Sequence, residues 1–332
     1  MAAKRSIVVV GAGVCGLTTG IELLQAGLPV RIVAEEIPGR TSLAAGAMWG
    51  AYHAEPWDKV WAWSLVSLEV FRGLSGLSDS GVRMVSGIEA SRQSMDPPPW
   101  GDLLPDCRPC GEDELPPGFV SGYRFTVPLI DMPIYLDYLQ SRVMELGGQI
   151  ETGTVGDWSE IKNAAAIVNC TGLGASRLAG DTTMRAICGE HVVLKNPGID
   201  EFFSEDTGMS PDLVCFYPHG DTIVLGGTAI DNNGSVVADH ATAERIIERC
   251  SAIDSRLANA QLLDHRVGGR PTRPQVRVEQ EDRQVGPPRG PQLRPRRSRS
   301  DSVLGLRDGS RPARACSVSW VEDLHPGRRS SR

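Results

Sequence analysis

Gly11, Gly13 and Gly16 stand in the pattern G-x-G-x-x-G directly after the β-branched run Ser6–Val10, with Ala12 and Val14 among the residues between them. Each glycine has a use in dinucleotide binding. The first turns the chain, the second lets the backbone approach a pyrophosphate, and the third lets a helix pack closely on a strand. The helix that follows offers N–H groups to phosphates at its N-terminus. Glu35 comes about twenty residues later, at the end of the next apolar run, where a carboxylate accepts from both hydroxyls of a ribose. Glu36 beside it joins the candidate set. The turn alone does not choose between FAD and NAD.

Residues 40–50, RTSLAAGAMWG, form a second candidate segment containing Thr41, Ser42, Ala45, Gly46 and Trp49. Small residues and hydroxyls in a row suit a loop that lies against a flat ligand. On these residues alone an ordinary small-residue loop is an equal reading. Arg270 stands in Gly268-Gly269-Arg270-Pro271-Thr272-Arg273-Pro274-Gln275-Val276-Arg277. A planar guanidinium holds a carboxylate by two parallel charge-assisted bonds and so fixes the direction of the attached carbon. The competing reading pairs the arginine with a buried acid, and for Arg273 and Arg277 that is the preferred one. No metal is expected. The six histidines are scattered, and Cys107 and Cys110 have no second ligand pair near them. The histidines are read as surface or satisfied core residues.

The elements that must carry these groups follow from periodicity. Ser6–Val10 is a strand, Leu17, Ile21, Leu23 and Leu24 form a helical stripe, Gly27 stops it, and residues 30–33 form the next strand. Apolar residues at helical spacing predict helices over 57–74 and 132–146, the second with Asp131 as N-cap and Pro133 in its first turn. Further strands are expected at 149–152, 165–169 and 222–225.

At 332 residues and 41% apolar content, the chain has room for two domains with sizeable cores. No run of about 18 apolar residues suggests a membrane span. Lys4 and Arg5 before the apolar run 7–10 mimic a short secretory signal, but the run passes into the glycine turn and reads as a first strand. Eight scattered cysteines without a signal peptide point to a reducing, cytoplasmic setting and to mostly buried thiols. Charge is partitioned along the chain. Residues 283–332 hold 12 arginines, no lysine and 4 acids, leaving 22 basic against 37 acidic residues before them.

The segment T-S-x-A-A-G-x-x-W at 41–49 resembles the flavin-contacting loop of the D-amino-acid oxidase family. The resemblance continues in order through Val85-Ser86-Gly87, Asn169-Cys170-Thr171-Gly172-Leu173-Gly174, Val224-Leu225-Gly226-Gly227-Thr228 and the Arg270 segment, spanning 6 to about 281. It implies an α/β fold, with a Rossmann-like FAD-binding domain (1–50, 150–185, 266–282) and an interleaved α+β substrate domain (51–149, 186–265). It implies FAD held by Gly11, Ala12, Val14, Thr41, Ser42, Trp49, Val155, Thr171, Gly172 and their neighbours named above. Arg270 would clamp the substrate carboxylate. The family sets tyrosines over the substrate; Cys215 occupies the nearer position, and Tyr217, two residues on, shares its strand face. For Tyr217, core packing and substrate contact remain equal readings. Family members that oxidise D-aspartate carry an arginine just after Gly-Gly-Thr, where this chain has Ala229, so neutral D-amino acids are the expected substrates. The implied products are 2-oxo acid, ammonia and hydrogen peroxide. The implied partners are a small D-amino acid and dioxygen, with a homodimer allowed and no nucleic acid or membrane required.

The pattern breaks after Glu281. The family continues with N-Y-G-H-G-G-x-G-x-T-x-x-W-G, a turn closing on the flavin ring, whereas here residues 283–332 are rich in Arg, Pro and Ser and show no periodic apolar face. Permitted codons for residues 292–305, read one nucleotide later, spell N-Y-G-H-G-G-A-G-V-T-L-S-W. The segment therefore reads as the product of a shifted frame, expected to be disordered and to leave the chain with little or no oxidase activity. The alternatives are a damaged, inactive flavoprotein, a D-aspartate oxidase, and another amine-oxidising or NAD(P)H-using flavoenzyme. An arginine-rich arm binding nucleic acid is disfavoured, because the segment lacks Lys and every aromatic but Trp320.

Overall fold

The glycine turn needs a strand before it and a helix after it, and the computed structural model supplies both. Strand β1 (Ser6–Val10), helix α1 (Val14–Gln25) and strand β2 (Val30–Ala34) follow in sequence, with Leu17 and Ile21 buried on α1 and Gly27 at φ +78° beyond its end. The structure describes residues 5–50, 57–180, 186–206, 214–231, 238–271 and 277–279. A short helix α2 (Arg40–Leu43) opens the small-residue loop, and α3 (Trp57–Leu74) carries the first long stripe. Strands β3 (Val82–Ser91), β4 (Arg108–Pro109) and β5 (Ser121–Ile130) precede α4 (Met132–Glu145). Asp131 sits at the N-cap of α4, but its side chain makes no capping bond, so the start rests on Pro133 in the first turn instead.

Strands β6 (Gln149–Thr152) and β7 (Ala164–Asn169) return to the first sheet, whose order is β7-β1-β2-β6 with all pairs parallel. A short helix α5 (Ala175–Leu178) follows. The second sheet joins β3, β4 and β5 to β8 (Ala186–Lys195), β9 (Phe202–Glu205), β10 (Cys215–His219), β11 (Thr222–Gly226) and β12 (Ile230–Asp231), in the order β12-β8-β11-β10-β9-β3-β5-β4. Helix α6 (His240–Ser251) packs on it, and β13 (Leu262–Pro271) pairs with β8 along its length. Finally β14 (Arg277–Glu279) adds to β7 antiparallel, at the edge of the first sheet. The sequence boundary at 266 therefore falls inside β13, a strand of the second sheet.

Strand alternation sorts the second sheet into two faces. Val192, Leu194, Phe216, Ile223 and Leu225 meet Ala243, Ile246 and Cys250 of α6 in one core. Cys215, Tyr217, Phe202 and Phe125 belong to a different core, which runs on without a break into Val9, Leu17 and Ile32 of the nucleotide-binding unit. The seam between the two sheets is thus a continuous apolar layer, and burying side chains of this size contributes about 1.5–3 kcal/mol each. Gly46 and Tyr217 meet there. Among the described residues no helix is long and apolar enough to cross a membrane.

Candidate functional site

Steric contact explains the glycine turn. Gly11 adopts φ +112°, and a Cβ there would lie 2.2 Å from the Cys170 carbonyl oxygen; a Cβ at Gly16 would lie 1.8 Å from the Gly11 oxygen. No other residue fits either place. At Gly13 a Cβ would sit 2.9 Å from Ser42 Oγ, which accepts from the Val14 N–H at 3.0 Å. One donor of the α1 N-terminus is therefore used inside the protein. The Ala12 carbonyl accepts from Gly39 N. Glu35 is exposed just beyond β2, while Glu36 forms an exposed ion pair with Arg40.

Other expected cofactor residues divide into two groups. Thr171 is drawn to Asn169, its N–H and hydroxyl both donating to Oδ1 at 3.2 and 2.7 Å, and Gly172 follows at φ +56°. This turn stacks against Gly11. Val155, by contrast, is buried with Val8, Val10 and Val33 as part of a small core. Trp49 is also a core residue: its indole N–H donates to the Ser64 carbonyl at 2.9 Å, and its ring meets Trp100 edge-on. Ala45 is buried in the main core nearby.

Gly46 is where the small-residue loop meets the second sheet. A Cβ at Gly46 would lie 3.2 Å from Tyr217 Cδ2 and 3.4 Å from His191 Nε2, and His219 Nε2 lies 3.4 Å from the Gly46 carbonyl oxygen. Tyr217 is 1% exposed and its hydroxyl has no hydrogen-bond partner. Burial pushes its pKa well up; Cys215 and Ser204 lie close enough to influence it, yet neither completes a bond with it. A buried, neutral, unpartnered hydroxyl beside the small-residue loop is the feature a polar ligand would satisfy. Across the sheet, His191 pairs in register with Gly226 and with Arg266, and Gly226 with Cys215. Position 270 lies four residues along β13 from Arg266, opposite Ile187.

His191 was missed by sequence reasoning, which left the histidines as surface or satisfied core residues. Burial lowers its pKa to about 4, with a backbone hydrogen bond to Ala44 acting the other way. In the unfolded chain the same imidazole titrates near 6.5. Between those values the unfolded state binds the proton and the folded state does not, so stability is complete above pH 6.5 and falls as pH drops towards 4. The loss from this one group reaches about 3 kcal/mol. His191→Asn should therefore close the stability gap to wild type as pH falls from 7 to 4 in urea melts. A gap that stays constant with pH would rule out a neutral His191.

The model of the family described as FAD dependent oxidoreductase, DAO, matches residues 6–299. The chain belongs to that family. It is 42% identical over 284 residues to a D-amino-acid oxidase of Rubrobacter xylanophilus, covering 85% of this chain and 87% of the relative. A D-amino-acid oxidase of Streptomyces coelicolor is 37% identical over 82% of this chain and 85% of its own length. Human D-aspartate oxidase is 32% identical over 83% of each. Among solved structures, glycine oxidase from Geobacillus kaustophilus superposes with a TM-score of 0.65 at 18% identity, covering 80% of this chain and 82% of the other, which bears on the fold. The cofactor of the family fits what the residues provide: a turn in which Gly11 and Gly16 leave no room for a side chain, and the turn at 170–172 stacked against it.

Proposed function

We propose that this fold serves the oxidative deamination of neutral D-amino acids to 2-oxo acids, ammonia and hydrogen peroxide, as a cytoplasmic catabolic activity. The observation that carries the reading is the meeting at Gly46 of the small-residue loop with Tyr217, whose buried hydroxyl has no partner. Arg270 binds the substrate carboxylate in two parallel bonds, and Tyr217 donates to the same substrate from the neighbouring face. Held this way, the Cα–H is fixed in direction, which is the main contribution a protein makes in cofactor chemistry. FAD, when bound, supplies the acceptor for the Cα hydride and the route of both electrons to dioxygen. No protein base is needed when the amine binds unprotonated. The imino acid then hydrolyses in water. The discontinuous FAD-binding domain and the interleaved substrate domain are part of the same proposal, as are FAD contacts at 11–16, Glu35 and 171–172.

Residues 283–332 lie outside the described residues, and we infer from their sequence that they are the product of a shifted frame. Two measurements test the whole reading. Protein purified as the 332-residue chain and then denatured should release FAD; release of a nicotinamide nucleotide without flavin would refute it. With the C-terminal frame restored, turnover of D-alanine or D-methionine should exceed that of D-aspartate, since Ala229 offers no second cation. Faster oxidation of D-aspartate would move the assignment to the activity named for the human relative.

A further inference from the structure

The two hydroxyls of α2 reach in opposite directions. Ser42 Oγ accepts from Val14 N at the glycine turn, whereas Thr41 Oγ1 donates to the Gly269 carbonyl at 2.8 Å, across 228 positions of sequence. Gly39, the N-cap of α2, is itself tied to the turn through the Ala12 carbonyl at 3.0 Å. Gly269 is buried on β13, and a Cβ there would lie 3.1 Å from Leu173 Cδ1, in the turn that follows β7. The peptide that joins Gly269 to Arg270 is thus held between the small-residue loop and a second element of the nucleotide-binding half.

We propose that Thr41 is a positioning residue: through its bond to the Gly269 carbonyl, occupancy of the cofactor site sets the backbone that carries Arg270. The proposal rests on the reading of 11–16 and 40–50 as the FAD site and of Arg270 as the carboxylate clamp. Its physical basis is that a ligand shifts a conformation only by favouring one state over another. FAD packed on residues 40–50 favours the position of α2 in which Ser42 caps α1, and in that position Thr41 meets β13. Cofactor binding and strand order are then coupled, and the coupling is reciprocal.

Hydrogen exchange of the 332-residue chain, with and without FAD, tests this in peptides covering 262–271, while quenching of flavin fluorescence gives the affinity in parallel. FAD should slow exchange around Gly269 and Arg270 at least about fivefold in wild type. Thr41→Val, compared at FAD concentrations that saturate each protein, should lose most of that protection, and Thr41→Ser should restore it. Wild-type chain that binds FAD without protecting 262–271 overturns the coupling, and this arm needs no variant to fold. Full protection in folded Thr41→Val overturns the role of the hydroxyl. Chain that takes up no FAD overturns the site reading beneath both.

Discussion

Replacing Arg270 by alanine, in protein with its C-terminal frame restored, should lower kcat/KM for D-alanine by on the order of 3 kcal/mol or more, about 150-fold. The size follows from what is lost. A guanidinium–carboxylate pair out of water makes two charge-assisted bonds, and removing one partner leaves the substrate carboxylate desolvated without compensation. Orientation suffers as well, because one remaining donor such as Tyr217 would let the substrate swing about a single contact. Arg270→Lys separates charge from geometry: it keeps the cation but not the fork, so it should recover only part of the loss. FAD affinity should change little in either variant, since the substitution leaves in place the Gly269 carbonyl that Thr41 meets. An unchanged kcat/KM in Arg270→Ala would show the arginine to be structural, with Tyr217 and its neighbours holding the substrate by other means.

Local steric rules made the nucleotide-binding unit legible from its residues. The glycines at 11 and 16 are required by contacts with Cys170 and with the turn itself, and the strands beside them are short β-branched runs covered on both faces. The long stripes on α3 and α4 were equally plain. Strand β8 was not, because eight successive residues from Ile187 to Leu194 are buried, so no alternation marks which of them face the site. His191 acquires its place only when Gly46 and Gly226 are brought against it, from far away in sequence on either side. The same holds for Thr41, whose partner on β13 no local pattern could name. Trp49 and Val155 show a further side of this: packing buries both side chains in cores, which no local pattern around either position announces. The cap at Asp131 is a smaller case, in which a suitable residue type at a suitable position makes no bond.

The 332-residue chain should make no peroxide from D-alanine with added FAD, whereas the protein with its frame restored after about Gln280 should be active. Three observations converge on this difference. The described part of the first sheet ends at β14, three residues paired on β7, shortly before the sequence turns arginine-rich. Charge reverses there as well: the 12 arginines and 4 acids of 283–332 follow a strongly acidic body. Permitted codons for residues 292–305, read one nucleotide later, spell the glycine-rich turn that the family resemblance calls for at this place, and such a turn supplies backbone donors to a developing charge. Without it the pocket expected around the flavin ring lacks those donors. The phosphate turn at 11–16 is built without that segment, from the contacts of Gly11 with Cys170 and of Gly13 with Ser42, so weak FAD binding should survive in the 332-residue chain while turnover does not. Resequencing the gene should reveal one nucleotide lost or gained near the codons for Gln280 to Arg283. A confirmed in-frame gene whose 332-residue product oxidises D-alanine robustly would overturn the account of the tail and require a different set of donors near the flavin, without touching the family to which the chain belongs.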